Sequence, residues 1–139
     1  MQLLTKEQIQ AAKDRHNKDV EIEEWGGTVR LRTLTGRERE EYENFLQARR
    51  KGKMINLMGA KCELLLRCII NEDGKPMFDR ADLAWMNEKS AKATGLLFDV
   101  AMSMNGLSRE DIDELVGNSE GDPNDEAGSD SPPDLEVAQ

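Results

Sequence analysis

Residues 20–35 read VEIEEWGGTVRLRTLT, and the fold turns on how they are read. Val20 and Ile22, then Val29 and Leu31, alternate with polar residues on either side of Gly26-Gly27. A period of two marks half-buried strands, and a glycine pair between two such runs favours a type I′ hairpin with positive φ at both glycines. A two-residue loop pairs residues 20–25 with 28–33. It sets Trp25 opposite Thr28, Glu23 opposite Arg30, Glu21 opposite Arg32, and Ile22 opposite Leu31 on the other face. A two-stranded hairpin is marginal alone and leaves both edges unpaired, so it must pack on helices or pair with another strand.

The flanking sequence supplies helices. Thr5-Lys6-Glu7-Gln8 has capping-box spacing and opens a short helix from Lys6 to about Arg15. Thr35-Gly36-Arg37-Glu38 opens a second, to about Arg50, with Tyr42, Phe45, Leu46 and Ala48 as its apolar stripe. Arg49, Arg50 and Lys51 fall where cations suit the helix dipole. Met54 to Asn71 is apolar on most sides, as in a central buried helix. After a turn at residues 72–76, Asp79 caps a short helix through Met86. Residues 87–105 make a long helix with Leu96, Leu97, Val100, Ala101 and Met104 on its apolar face. Gly106 stops it, and Ser108 caps a last helix through Val116.

The chain has 139 residues, 37% hydrophobic and 34% charged, enough apolar material for one modest core. Its net charge of -9 is unevenly placed. Residues 118–139 hold seven acids and no Lys or Arg, leaving 28 − 7 = 21 acids against 19 bases in residues 1–117. The segment has too little apolar surface to offset ordering entropy. The expected fold class is α+β: a mainly helical small domain over 1–117 with one two-stranded antiparallel β-hairpin, then a disordered acidic C-terminal tail over 118–139.

The charge balance argues against nucleic acid as a partner, which needs a basic footprint. No apolar run has the length of a membrane span, and MQLLTKEQIQ lacks a signal peptide's apolar core. Cys62 and Cys68 point to different faces of one expected helix and read as reduced packing thiols. His16, the single histidine, lies in a polar stretch, so no usual zinc set exists. The acid clusters Asp79, Asp82, Asp99 and Glu110, Asp111, Asp113 sit where helix caps and solvated faces place acids. No catalytic, metal or cofactor residue is assigned. The seven methionines suggest instead an adaptable partner surface, since thioethers fill irregular contacts. The candidate partner-binding residues are Met54, Leu57, Met58, Leu97, Met102 and Met104, with the hairpin edge at Val20, Ile22, Val29 and Leu31.

Two stretches carry a resemblance: VEIEEWGGTVRLRTLTGRE at 20–38, and MNGLSREDIDEL at 104–115. Between them, CIINEDGKPMFDRADLAWM at 68–86 looks like the same family's helix, Asp-Gly turn and capped helix. In order and spacing the chain resembles the tail assembly chaperones of long-tailed bacteriophages. The resemblance implies a non-enzymatic protein of the host cytoplasm, absent from the mature virion. Its implied partners are the tape measure protein, which it coats and solubilises, and tail tube subunits, which it helps recruit. The open hairpin edge and the Met-rich helical layer add self-association, and so an oligomer, to the expectation. Many members also have a longer frameshifted form. The long acidic tail departs from the family pattern. The competing expectation is a small acidic protein-binding adaptor or regulator unrelated to tail assembly.

With few core-forming residues beyond Leu135 and Val137, the segment 118–139 is expected to be dispensable for folding. Its deletion leaves the midpoint of a thermal scan nearly unchanged; a drop of many degrees would mean that it is integral to the domain.

Overall fold

The caps read from the sequence start the helices they were expected to start. Thr5 with Gln8, Thr35 with Glu38 and Asp79 with Asp82 each form a reciprocal capping box. Ser108 and Asp111 exchange the same pair of bonds, at 2.8 and 3.1 Å. The computed structural model describes residues 1–117, so the segment expected to be disordered, 118–139, lies outside the described residues. Six α-helices and five short strands follow in chain order: α1 (Lys6–Ala11), β1 (Asn17–Ile22), β2 (Gly27–Arg32), α2 (Gly36–Ala48), β3 (Arg50–Lys51), β4 (Met54–Ile55), α3 (Ala60–Cys68), β5 (Ile69–Ile70), α4 (Leu83–Met86), α5 (Ala91–Met104) and α6 (Arg109–Gly117). The chain is α+β and mainly helical, with small antiparallel sheets.

The hairpin exists, but in another register. β1 and β2 pair Val20 with Val29, Asp19 with Arg30 and Glu21 with Thr28, so Glu23 does not face Arg30. Residues Glu23–Trp25 form a 3₁₀ turn instead of the ends of strands, closed by Gly26 at φ +68°. Gly27 already belongs to β2. The sequence does not distinguish the two registers by burial, because they differ by an even shift and a pleated strand repeats every two residues. Val20, Ile22, Val29 and Leu31 share a face either way. What separates them is the Asp19–Arg30 pair, whose two hydrogen bonds of 2.7 and 3.0 Å replace the expected Glu23–Arg30 contact.

β2 is also not an edge. β5 pairs with it antiparallel, Arg30 with Ile70 and Leu31 with Ile69, giving a three-stranded sheet in the order β1-β2-β5. The apolar stretch expected to be one helix over 54–71 is therefore helical only at its centre. Its start pairs with Arg50–Lys51 in a second small ladder across Gly52, at φ +59°. Its end, the β-branched Ile69 and Ile70, is extended. Ile70 bridges to Pro76 around the turn held by Asn71 N to Lys75 O, 2.8 Å.

Helix α3 is the centre. Seven of its nine residues are buried, and it packs against α2, α4 and α5, while α6 packs on α2. One of the seven is Glu63, 2% exposed. Its carboxylate accepts from Arg67 Nη1 at 2.7 Å and from Arg80 Nη1 and Nη2 at 2.7 and 3.1 Å. Arg67 also lies 3.6 Å from Glu41 of α2. Burial by itself would push the Glu63 carboxyl up, but the bonds and charges of Arg80 and Arg67 outweigh it and hold the carboxyl below its usual range.

Two outcomes follow. Gly26→Val costs about 1–2 kcal/mol in urea unfolding, because φ is positive there, although a Cβ would meet nothing within 4 Å. Gly27→Val is near neutral, in contrast to the type I′ expectation; equal losses at both would refute the observed turn. Glu63→Gln costs about 2 kcal/mol at pH 7, less than a fully buried pair because Arg80 reaches solvent. A depressed folded-state pKa contributes stability above the unfolded value, about 4.3, and loses it as pH falls through the folded value. The gap between Glu63→Gln and parent therefore narrows as unfolding is measured at successively lower pH below about 4.

Candidate functional site

The ten candidate partner-binding residues divide by burial. Ile22, Leu31 and Leu97 are among the largest fully buried side chains, and Val20 and Met102 are buried in the same core cluster. Val29 and Met104 are half-buried against it. The hairpin face and the inner stripe of α5 are thus core, and the reading of them as anchors for a partner is corrected: the helices the hairpin needed are its own. The open feature of the sheet is the outer main-chain edge of β1, since β2 is paired on both sides.

Met54, Leu57 and Met58 are different. They stand on an arm made of β3, β4 and the following loop, and Met54 and Met58 are 76% and 79% exposed. Gly52 turns the arm, Arg49 Nε donates to Asn56 O at 2.8 Å, and Asn56 N donates back to Arg49 O at 3.1 Å. Arg49 lies over the Phe45 ring at 5.0 Å, fixing the arm to α2.

At the foot of this arm is a groove of about 570 Å³ between α2, α5 and α6. Leu57, Phe98, Met102, Leu107 and Ile112 line it, with Lys61, Asp99 and Asp113 as its charged members. Tyr42 closes the floor, its hydroxyl donating to Ala60 O at 3.0 Å; burial first, then the Glu63 charge, pushes that phenol above its ordinary range. Leu57, in the loop before α3, and Met102 of α5, forty-five positions apart in the chain, are thus brought to one groove, one as rim and one as floor.

A second groove of about 500 Å³ was not anticipated. Trp25 of the hairpin turn, Val29, Met77, Phe78, Trp85 and Lys89 line it. Phe78 and Trp85 meet edge to face at 5.5 Å, and Trp85 Nε1 donates to Asp82 Oδ1 at 2.9 Å. Both tryptophans of the chain line this groove and stay more than 40% exposed. Trp25 lies in the hairpin turn and Trp85 in the short helix α4, and the available signal was the residue type itself, since Trp is enriched at interfaces. Helix α1 buries none of its residues, Ile9 included, and Leu3 and Leu4 just before it are exposed as well.

The acids and thiols have structural work. Asp79, Asp82 and Asp111 are capping residues, and backbone bonds first hold the Asp82 and Asp111 carboxyls low. Cys62 and Cys68 are free and buried; burial raises both thiols, Cys68 to about 12. Among the described residues no group of three or more His, Cys, Asp or Glu is placed to hold a metal ion, and no helix is long and apolar enough to cross a membrane.

No protein-family model and no curated protein sequence matches the chain. Among solved structures, the fold is similar to that of the tail assembly chaperone of bacteriophage HK97, with a TM-score of 0.53 at 20% sequence identity. The match covers 73% of this chain and 94% of that one. Such a likeness is one of backbone architecture: the chain has a tail assembly chaperone-like fold.

Proposed function

We propose that the protein is a phage tail assembly chaperone that binds and solubilises the tape measure protein and helps recruit tail tube subunits. It acts in the host cytoplasm and is absent from the mature virion. The observation that carries this reading is the fold likeness, which spans 94% of the HK97 chaperone. The motif order at 20–38, 68–86 and 104–115 supports it independently.

The arm and its groove supply a mechanism. A long helical apolar target needs a binder that accepts many similar faces rather than one sequence. Helix-in-groove binding uses apolar anchors at helical spacing, and methionine adapts its three rotatable bonds to each. Leu57 grips from the rim, Met54 and Met58 extend the contact along the exposed arm, and Phe98, Leu107 and Ile112 form the wall. The free edge of β1 offers main-chain pairing to another copy, which would extend the coat along the target.

Co-expression with the tape measure protein of the same phage, followed by size-exclusion chromatography with light scattering, yields a soluble complex on this reading. Met58→Glu, at a site too exposed to affect folding, weakens that complex about tenfold or more, the equivalent of one buried apolar anchor. A target that stays insoluble beside a strictly monomeric protein would remove the basis for the proposal.

A further inference from the structure

The surface that carries Met54, Leu57 and Met58 is divided by charge. From Asn44 to Cys62 there are five cations, Arg49, Arg50, Lys51, Lys53 and Lys61, and no carboxylate. Two of them serve the arm itself: Arg49 bonds Asn56 O, and Arg50 Nε donates to Gly52 O at 2.9 Å. Lys51, Lys53 and Lys61 are exposed. Lys51 pairs across the β3–β4 ladder with Met54, so its ammonium and that thioether leave the arm on one face. Lys61 lines the groove, its Nζ 5.6 Å from the centre of the Phe98 ring.

The part of the groove built by α5 and α6 has the other sign. Asp99 and Asp113 line it, and α6 exposes Glu110 and Glu114 as well. Among the described residues none of Lys51, Lys53, Lys61, Asp99 and Asp113 belongs to an ion pair. A membrane surface or a nucleic acid presents anionic phosphate along its whole face, and the carboxylates of α5 and α6 repel it. An amphipathic helix can carry one charge along one edge of its apolar stripe and another along the other. Such a helix meets both halves of this surface.

We infer that the arm and its groove select, among amphipathic helices, one whose apolar stripe is bordered by carboxylates on the edge that meets Lys51, Lys53 and Lys61. The inference rests on the reading of this groove as a helix site and adds which helix it takes. The apolar contacts supply most of the hold, because exposed ion pairs are individually weak. The cations supply discrimination and orientation. A helix with lysines on that edge faces three like charges, and one laid in the reverse direction exchanges its edges and sets its carboxylates toward Asp99 and Asp113. A binder that accepts many apolar faces can thus still refuse the wrong direction.

The test is fluorescence anisotropy of the full-length chain with designed helices of about 20 residues, about 30 Å long. All share one leucine stripe at helical spacing, and one edge of it is glutamate, glutamine or lysine. The glutamate helix binds about tenfold more tightly than the lysine helix at low salt. That gap closes in about 0.5 M NaCl, where screening acts within a few ångströms. The double variant Lys51→Glu, Lys53→Glu, at exposed positions, reverses the order. Equal binding of the three helices would overturn the inference while leaving the groove a helix site. Binding of none would remove the helix site as well. Equal binding of a glutamate helix with a scrambled stripe would overturn it too, since charge alone would then suffice. So would retention on phosphatidylglycerol vesicles, on RNA or on a second copy of the chain in place of any helix.

Discussion

A carboxylate inside the central helix is the constraint around which this fold is arranged. Glu63 occupies a position of α3 that solvent does not reach, on a helix whose other sides are filled by Leu64, Leu65, Leu66 and Cys68. An unpaired charge there would be prohibitively costly, so two guanidinium groups must be delivered to it. Arg67 comes from the same helix one turn on, and Arg80 from the 3₁₀ turn that Asp79 caps. Arg67 in turn lies near Glu41, on α2. The helix that packs against most of the others thus also dictates where the 78–86 segment and α2 are set. Asn105 does the equivalent job at the end of α5: its side chain accepts from Leu34 N at 2.7 Å and donates to Ala101 O at 2.8 Å.

Local signals in the sequence carried far, and long-range ones did not. Each capping box was legible because its two residues lie three apart and bond only to each other's neighbourhood. The apolar face of the hairpin was legible for the same reason. Its register was not, since Asp19 and Glu23 lie four residues apart in the same alternating pattern, either could be set opposite Arg30, and only the turn decides between them. The run from Met54 to Ile70 was overread as helix because β5 is strand only by virtue of β2, about forty residues earlier. Glu63 gave no hint of its burial, for its partner Arg80 is seventeen positions away.

The same distinction governs the candidate site. Composition pointed to methionine as the adaptable surface residue, and the two on the arm are indeed exposed, while Met102 is buried and Met104 half-buried in α5. Period and composition say which side of an element is apolar; they do not say whether the chain covers that side itself. The hairpin face is covered by α3 and its neighbours, and the arm is not. Trp25 and Trp85 escaped notice because the groove they share is assembled from a turn, a loop and a short helix with no common pattern.

The place of β2 between β1 and β5 also has a consequence for the order in which the chain acquires its contacts. A hairpin closes in about 1–10 μs once both strands exist, so β1 and β2 pair early. Arg30 must wait for Ile70, forty residues later in the chain, before the inner edge of β2 is occupied. At a synthesis rate of about 5–20 residues per second that interval is about 2–8 s, during which a paired, half-apolar hairpin shows an open edge to its surroundings. Successive nascent chains on one messenger each pass through the same stage in turn. The charged residues of the outer hairpin face, Asp19 and Arg30 above all, are then the part of the molecule that keeps growing chains apart before the native sheet is complete.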